Sequence, residues 1–272
     1  MEKPAISAIV PSLNSGRSIA GCLDSILGQD CDLLEVIIAD GQSADTTLAI
    51  VKDYAKRDSR VTFFSERDRG IYDAINKAIP RAAGDWIYIL GTDDRLARKT
   101  VFSELLPLLR AAHGSVVYGD VIVSGEAGWA RDGTVYDGEF DLSKLLRKNI
   151  CQQAVFYRRA VFQDLGFFDP RYKVCADWDF ILRCVAREKI QYVNSTIAIF
   201  KGGGTSHSSD PIFTRDFVQN LYRYFGRSLA SRDFSFLRPR MKRAAVDFFM
   251  RGEWLKALQL FRHYRAHSRS SH

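Results

Sequence analysis

Short apolar runs alternate with amphipathic stretches along the first third of the chain. Runs rich in Ile, Val and Phe predict buried strands, and apolar positions spaced three and four apart predict helices. The predicted strands are Ala5–Val10, Glu35–Ala39, Val61–Ser65 and Trp86–Leu90. The predicted helices between them are Ser18–Leu27, Thr46–Arg57 and Ile71–Arg81. Strands separated by helices of this length form right-handed β–α–β units, so we predict an α/β fold with a mainly parallel central sheet.

The pattern is less regular in the second part of the chain. The elements predicted there are a helix over about Thr100–Ala112, a strand at Ser115–Tyr118, a hairpin or ordered loop over 124–138, a strand at Ala154–Tyr157, a helix at Trp178–Arg187 and a strand at Tyr192–Phe200. From Phe213 onward the spacing is helical throughout. We therefore expect an α/β domain over residues 1–210 and a helical C-terminal region over 211–272.

Composition is that of an ordinary globular protein, with 46% apolar and 26% charged residues among 272. No apolar run approaches the roughly 20 residues that span a bilayer, and the N-terminus shows no secretory signal. The cysteines are odd in number and lack C-x-x-C spacing; they are Cys22, Cys31, Cys151, Cys175 and Cys184. This usage is typical of reduced thiols, so we expect a cytoplasmic location.

Charge is distributed unevenly along the chain. Residues 227–272 hold eleven basic and three acidic side chains, a net charge of +8, whereas the rest of the chain carries −1. Such a tail favours contact with an anionic surface. Its helices have apolar faces, which either pack on the domain or a second copy or contact anionic lipid. No nucleic-acid-binding module accompanies the charge, so we expect no nucleic acid partner.

Two adjacent carboxylates, Asp93 and Asp94, follow the fourth predicted strand. Ligands of open α/β sheets bind at the carboxyl ends of the strands. Neighbouring carboxylates repel each other unless a cation or several donors neutralise them, and Mg²⁺ or Mn²⁺ prefers such oxygen ligands. The alternative is a solvated turn that caps the next helix.

Polar residues also follow the first three strands. They include Asn14 after the first, Asp40 after the second and Asp68 after the third. Each could be an ordinary turn residue, but four consecutive strand ends should face one crevice. No G-x-G-x-x-G or G-x-x-x-x-G-K-[ST] motif follows the first strand, which argues against dinucleotide and P-loop chemistry.

Six motifs in order resemble those of the family 2 glycosyltransferases with the GT-A fold, in the branch found in bacterial polysaccharide biosynthesis. They are Val-Pro-x-x-Asn, Asp-Gly-x-Ser-x-Asp, Glu-x-Asp-x-Gly-x-Tyr-Asp-Ala-x-Asn-Lys, Gly-Asp-Trp-Ile, Thr-Asp-Asp and Asp-Trp-Asp. The resemblance covers about residues 5–205. It implies a nucleotide-binding half over 1–98 and an acceptor-binding half over 99–210.

The resemblance implies a site for a nucleotide diphosphate sugar, with UDP, GDP or dTDP as the nucleotide. The matching positions are Pro11, Asn14, Asp40, Arg67, Asp68, Asp73 and Asp93. Among them, Pro11 and Asp40 would hold the base, and Arg67 or Arg69 would approach the phosphates.

The resemblance also implies a Mn²⁺ or Mg²⁺ ion at the acidic pair. We predict Asp94 as the main ligand, with Asp93 reaching the ribose or sharing the ion. The usual motif has another Asp two residues before the ligand, whereas Gly91 and Thr92 precede the pair here. His207 matches a third ligand in several family members, although a lone histidine in a loop is commonly just solvated.

Asp177 matches the catalytic base of the family. An inverting transfer needs one carboxylate to deprotonate the attacking acceptor hydroxyl, while a plain helix N-cap is the alternative role. Trp178 would stack on a sugar face, and Gln152 and Gln153 would line the acceptor side.

These observations predict a metal-dependent inverting glycosyltransferase that acts on a glycan or polyprenyl-linked acceptor. It would lie in the cytoplasm, either free or peripheral at the inner face of the cell membrane. Its oligomeric state stays open, including a homo-oligomer. The alternatives are a sugar nucleotidyltransferase, which needs a better Gly-rich basic loop after the first strand, and a non-catalytic nucleotide- or sugar-binding module, which needs no base.

Overall fold

The computed structural model describes residues 3–203, 209–225 and 237–269 of the chain. It confirms the predicted alternation of strands and helices in the first third. The strands are β1 (Ile6–Ser12), β2 (Leu34–Asp40), β3 (Val61–Ser65) and β4 (Trp86–Ile89). The helices are α1 (Ile19–Leu27), α2 (Thr47–Arg57) and α3 (Ile71–Ala78), which a 3-10 turn extends over Ile79–Arg81.

Strands and helices of very different lengths follow in the second part. The strands are β5 (Arg95–Leu96), β6 (Val116–Ser124), β7 (Val135–Tyr136), β8 (Val155–Arg158) and β9 (Gln191–Lys201). The helices are α4 (Val101–Ala111), α5 (Leu142–Leu145), α6 (Val161–Leu165), α7 (Ala176–Val185), α8 (Pro211–Phe225), α9 (Arg238–Met250) and α10 (Trp254–Arg269).

All nine strands described lie in one sheet, in the order β3-β2-β1-β4-β8-β6-β9-β5, with β7 paired to β6. The first four strands of this order are parallel. β8 is antiparallel to both of its neighbours, and β6 and β9 are parallel to each other. The carboxyl ends of β1 to β4 therefore meet at one edge of the sheet, as the sequence predicts.

Strand β6 is longer than predicted. The sequence pattern ends it at Tyr118, but the strand continues to Ser124 after register shifts around Asp120. Gly119 lies at this irregularity, and a Cβ atom there would collide with the carbonyl oxygen of Ser195 on β9. A glycine that permits close backbone approach breaks the apolar alternation, which explains why the pattern ends too early.

The core covers both faces of the sheet. Alternate residues of β2 show this: Ile37 belongs to a cluster with α3, α7 and α8, and Val36 and Ile38 belong to a second cluster with α1 and α4. Side chains along a strand point to opposite faces in turn, so a sheet buried on both faces has continuous apolar strands.

The C-terminal helices continue this core. Phe213 and Phe217 of α8 pack on Trp178 of α7, with ring centroids 5.2 and 5.7 Å away. Met241 and Phe248 of α9 are buried in the same cluster. In the parts of the chain covered by the structure, no helix combines the length and the apolar character needed to cross a bilayer.

Candidate active site

Asp94 is buried just beyond β4, with 3% of its surface exposed. Its Oδ2 accepts a hydrogen bond of 2.7 Å from Gln153 Nε2, and its Oδ1 accepts one of 2.8 Å from the backbone N–H of Lys201. Burial raises the pKa of Asp94 to about 7, because water no longer solvates the charged carboxylate.

Asp93 differs from its neighbour because its side chain is exposed. Protein donors already occupy both oxygens of Asp94, whereas Asp93 is open to solvent at the same strand end. Carboxylate oxygens are the donors that Mg²⁺ and Mn²⁺ prefer, so the pair fits such an ion. Each oxygen of Asp94 accepts one of these bonds and keeps a further acceptor position, so the assignment of Asp94 as the main ligand stays a prediction.

A third protein ligand is not visible at this corner. Among the residues that the structure covers, no group of three His, Cys, Asp or Glu side chains could hold a metal ion. His207, the predicted third ligand, lies outside the described residues.

Gly91 and Thr92 precede the acidic pair, whereas the usual motif has another Asp two residues before the ligand. A Cβ atom at Gly91 would lie 2.7 Å from Asp94 Oδ2 and 3.4 Å from Asp93 Oδ1. The backbone at Gly91 therefore runs close to both carboxylates of the pair.

Asp40 joins the ends of the first three strands. It is buried, and it accepts hydrogen bonds from the hydroxyls of Ser12 at 3.3 Å, Ser43 at 2.5 Å and Ser65 at 2.7 Å. The backbone N–H of Ser43 adds a fourth bond of 3.0 Å. A carboxylate has about four acceptor positions, so a base N–H would have to replace one of these donors. The predicted base contact of Asp40 stays a prediction.

The loops after β1 and β2 are tied to each other through Asn14. Its Oδ1 accepts a bond of 2.9 Å from Ala44 N, and its own N–H donates to Ser43 Oγ at 2.8 Å. The residue has a φ of +50°, which asparagine tolerates better than most residues. Pro11 is buried in β1 opposite Ala39. Both predicted residues thus shape the carboxyl edge of the sheet.

The third loop carries Arg67, Asp68 and Asp73. The side chain of Arg67 is exposed. Asp68 Oδ1 accepts a bond of 2.9 Å from Gly70 N and lies beside the loop after β2. Asp73 forms ion pairs with Arg69 at 2.9 Å and Lys77 at 3.3 Å, and the Arg69 hydrogen bond lowers its pKa. Asp73 therefore anchors this loop to α3, while Arg67 and Asp68 are its accessible members.

Asp177 lies in the first turn of α7 with 7% of its surface exposed. Its Oδ1 accepts bonds of 2.9 Å from the Tyr72 hydroxyl and from Trp178 N, and its Oδ2 accepts one of 2.9 Å from Asn149 Nδ2. Burial raises the pKa of Asp177 to about 6. A carboxylate with this pKa is ionised at neutral pH and is a stronger base than an exposed one.

Sequence reasoning missed the partners of Asp177. Tyr72 stands 105 residues and Asn149 28 residues away along the chain. Tyr72 belongs to a quoted motif, so its position offered a signal, whereas nothing in the sequence marks Asn149. Asp210 was also missed: it caps α8 through Phe213 N at 3.1 Å and accepts from Val174 N at 2.9 Å, shortly before Asp177.

One short segment connects the acidic pair and Asp177. Asn149 at its start contacts Asp177, and Gln153 at its end contacts Asp94. Between them, burial raises the pKa of the Cys151 thiol, and the charges of both carboxylates add to this effect. Four extended residues span at most about 14 Å, so the two carboxylate sites border one region of molecular size.

The other residues predicted to line the site of the sugar acceptor already make hydrogen bonds within the protein. Gln152 Oε1 accepts from the Tyr157 hydroxyl at 3.0 Å, while its buried Nε2 has no hydrogen-bond partner among described residues. Gln153 contacts the acidic pair. Trp178 donates its indole N–H to Leu145 O at 2.8 Å and packs on α8. The acceptor roles of these residues stay predictions.

The pH dependence of turnover should report Asp177. We expect kcat/KM to fall as pH decreases through about 6, because protonation removes the base. In Tyr72→Phe the lost hydroxyl donor no longer stabilises the carboxylate, so the acidic limb should move to higher pH. The measurement is a pH profile of kcat/KM for both proteins.

Tyr54→Phe is the matched control for this profile, because Tyr54 donates to Asp24 in another part of the fold. Cys151, Cys175 and Tyr157 also face Asp177, but burial raises their pKa values and keeps them neutral. The pKa of Asp94 is also raised, to about 7, so its protonation would lower activity in the same pH range. A shift of the acidic limb in Tyr72→Phe is therefore the result that assigns this limb to Asp177. An unmoved limb would remove Asp177 as its source.

An acidic pair at the carboxyl edge of an α/β sheet, connected through one short segment to a buried carboxylate, is an arrangement suited to group transfer from a nucleotide donor. Comparison with known proteins identifies the class as a glycosyltransferase. The family described as "Glycosyl transferase family 2" matches residues 7–166. The chain belongs to that family.

A curated relative and two solved structures extend this result. The PGL/p-HBAD biosynthesis glycosyltransferase of Mycobacterium bovis is 36% identical over 228 residues, which is 81% of this chain and 85% of that protein. S. aureus TarS 1–349 in complex with UDP-GlcNAc aligns with a TM-score of 0.66 at 19% identity, covering 89% of this chain and 80% of that one. The mannosyltransferase PcManGT from Pyrobaculum calidifontis, in complex with GDP-Man and Mn²⁺, aligns with 0.57 at 16%, covering 100% and 89%. The predicted GT-A type fold is confirmed.

Proposed function

We propose that this glycosyltransferase moves a sugar, with inversion at the anomeric carbon, from a nucleotide diphosphate sugar to a hydroxyl group of a glycan or polyprenyl-linked acceptor. The observation that supports the proposal is the segment 149–153, whose Asn149 contacts Asp177, the proposed base, and whose Gln153 contacts Asp94 of the acidic pair. A binding module needs no buried base. A nucleotidyltransferase needs a basic phosphate loop after β1, where this chain has only Arg17.

The reaction is an in-line displacement. The acceptor oxygen forms a bond to the anomeric carbon as the bond from that carbon to the phosphate oxygen breaks. The proton of the acceptor hydroxyl passes to Asp177, and the nucleoside diphosphate leaves with the bonding electrons. Tyr72 and Asn149 hold the Asp177 carboxylate from two sides, so its orientation is fixed before the acceptor arrives.

A divalent ion, Mn²⁺ or Mg²⁺, would bind at Asp93 with support from Asp94. When bound it supplies positive charge that stabilises the departing diphosphate. Gln153 and the backbone N–H of Lys201 orient Asp94. Arg67, exposed on the loop after β3, is the cationic side chain that we assign to the phosphates.

The comparisons support the donor class. TarS was solved with UDP-GlcNAc and PcManGT with GDP-Man and Mn²⁺, so proteins of this fold bind a uridine diphosphate sugar in one case and a guanosine diphosphate sugar together with an ion in the other. We propose that Pro11, Asn14, Asp40 and Asp68 form the nucleotide site at the carboxyl edge. We also propose a cytoplasmic location, where the five free thiols remain reduced.

A thermal-shift panel of UDP-, GDP- and dTDP-sugars, each with and without Mn²⁺, tests this function. At about 100 times its Kd a ligand adds about 2.7 kcal/mol of stability, which raises the Tm of a protein of this size by about 5 °C or more. One donor should give this shift in the presence of Mn²⁺ and a smaller one without it. If no nucleotide sugar shifts the Tm under either condition, the proposed function is wrong.

A further inference from the structure

Large apolar side chains are exposed on one surface of the C-terminal hairpin. We call this surface the outer face of α9 and α10. It consists of Val246, Phe249, Met250, Trp254, Leu255, Leu258 and Phe261, each about half exposed or more. A soluble monomer rarely leaves a large contiguous apolar patch uncovered, so this group of exposed side chains indicates a surface that contacts a partner.

The outer face lies opposite the buried side of each helix. In α9, Ala244 and Phe248 are buried, whereas Val246 and Phe249 are exposed. In α10, Leu260 is buried, and the exposed positions follow a spacing of four and three residues. This spacing lines up side chains on one face of a helix.

The two helices present their exposed residues as one surface. The rings of Phe249 and Trp254 lie 5.6 Å apart across the turn between α9 and α10. On the other side, Met241 and Phe248 join the core cluster that contains α7 and α8. The hairpin is thus fixed to the catalytic body by one side, and its apolar surface faces away.

Basic residues stand on the same side as the apolar ones. Lys242 precedes Val246 and Phe249 by four and seven residues, and Arg262 follows Leu258 and Leu255 by the same intervals. Both basic side chains are exposed. A long cationic side chain can lay its stem along an apolar surface and extend its charge to a neighbouring phosphate.

From this geometry we propose that the outer face of α9 and α10 docks the enzyme on a membrane that contains anionic lipid. The apolar side chains enter the boundary between headgroups and acyl chains, and Lys242 and Arg262 contact lipid phosphates. The net charge of +8 in residues 227–272 favours this partner over a neutral protein surface. The inference depends on surface residues alone and is independent of the assigned catalytic groups.

Vesicle flotation with the full chain tests the docking surface. We expect the protein to float with vesicles of phosphatidylcholine and phosphatidylglycerol, to float much less with pure phosphatidylcholine, and to detach as salt increases. The variant Met250→Glu/Leu255→Glu should lose most of this binding. These side chains are 78% and 82% exposed, so the core is untouched. The charge variant Lys242→Glu/Arg262→Glu should lower the partition coefficient about 10-fold or more.

Leu108→Glu is the matched control, because Leu108 is an exposed leucine on α4. It should float like the native protein. Equal binding to neutral and anionic vesicles, or unchanged binding in the outer-face variants, would overturn the proposal. So would a native dimer, seen by light scattering, that the outer-face variants convert to monomers without vesicle binding in any form. Donor-induced thermal shifts in vesicle-free buffer should be the same in all variants, which separates this inference from the proposed function.

Discussion

Replacing Asp177 with Asn should lower kcat for sugar transfer by about 10²- to 10⁴-fold, the usual contribution of a positioned general base. The substitution keeps the shape of the side chain, and its remaining oxygen can still accept the bond from Tyr72. The new NH2 group cannot accept the bond from Asn149 Nδ2, so that contact is lost unless the Asn149 amide turns its oxygen toward it. The substitution removes the group that takes the proton of the acceptor hydroxyl. The affinity for the nucleotide should stay close to that of the native protein, because Asp177 and the acidic pair contact opposite ends of the segment 149–153.

Steady-state kinetics together with calorimetric titration of the nucleoside diphosphate measure both parts of this prediction. Asp164→Asn is the control, since Asp164 is an exposed carboxylate in the first turn of α6. It should leave kcat unchanged. A native kcat in Asp177→Asn would show that another group, or water, takes the proton.

Replacing Asp93 with Asn should abolish the gain in donor affinity that Mn²⁺ provides. Asp93 is the carboxylate of the pair that is open to solvent, so we expect an ion to reach it more readily than the buried Asp94. Loss of a direct ligand should exceed the roughly 10- to 100-fold that is typical when a supporting partner is removed. Gln153→Ala, which removes the hydrogen bond to Asp94 Oδ2, should fall within that smaller range.

Calorimetric titration with the nucleoside diphosphate, with and without Mn²⁺, distinguishes these cases. Asp85→Asn is the control, because Asp85 is an exposed carboxylate before β4, at the opposite end of that strand. Unchanged Mn²⁺-supported affinity in Asp93→Asn would refute our assignment. If Asp94→Asn alone caused the loss, Asp94 would be the main ligand, as the sequence analysis predicts.

The spacing of apolar residues along the chain was sufficient to predict much of the fold. The strands β1 to β4 and the helices between them depend on the spacing of apolar residues within each segment, and their predicted bounds differ from the observed ones by a few residues. The pattern was insufficient where pairing depends on distant residues. β5 has only two residues and exists because it pairs with β9 about a hundred positions later. β6 extends beyond Gly119 for the same reason.

The candidate site divides in a similar way. Motif positions such as Asp94 and Asp177 could be selected from the sequence because they resemble the family. The partners that set their environment could not, because Asn149 and Gln153 meet them through tertiary contacts. Asp93 and Asp94 also differ in burial, which the sequence does not show. Adjacent residues of the same type look equal in a sequence, although one is solvated and the other is enclosed.

Ile150 fixes the segment 149–153 to the core with only 1% of its surface exposed. Asn149 and Gln153 lie in the same short segment, so a displacement of this segment moves both side chains. Volume lost at Ile150 should therefore affect donor affinity and turnover together, although its side chain is buried in the core. Exchanging the segment 149–153 between relatives should consequently transfer donor affinity and turnover together. Single substitutions within the segment should change both properties rather than one alone.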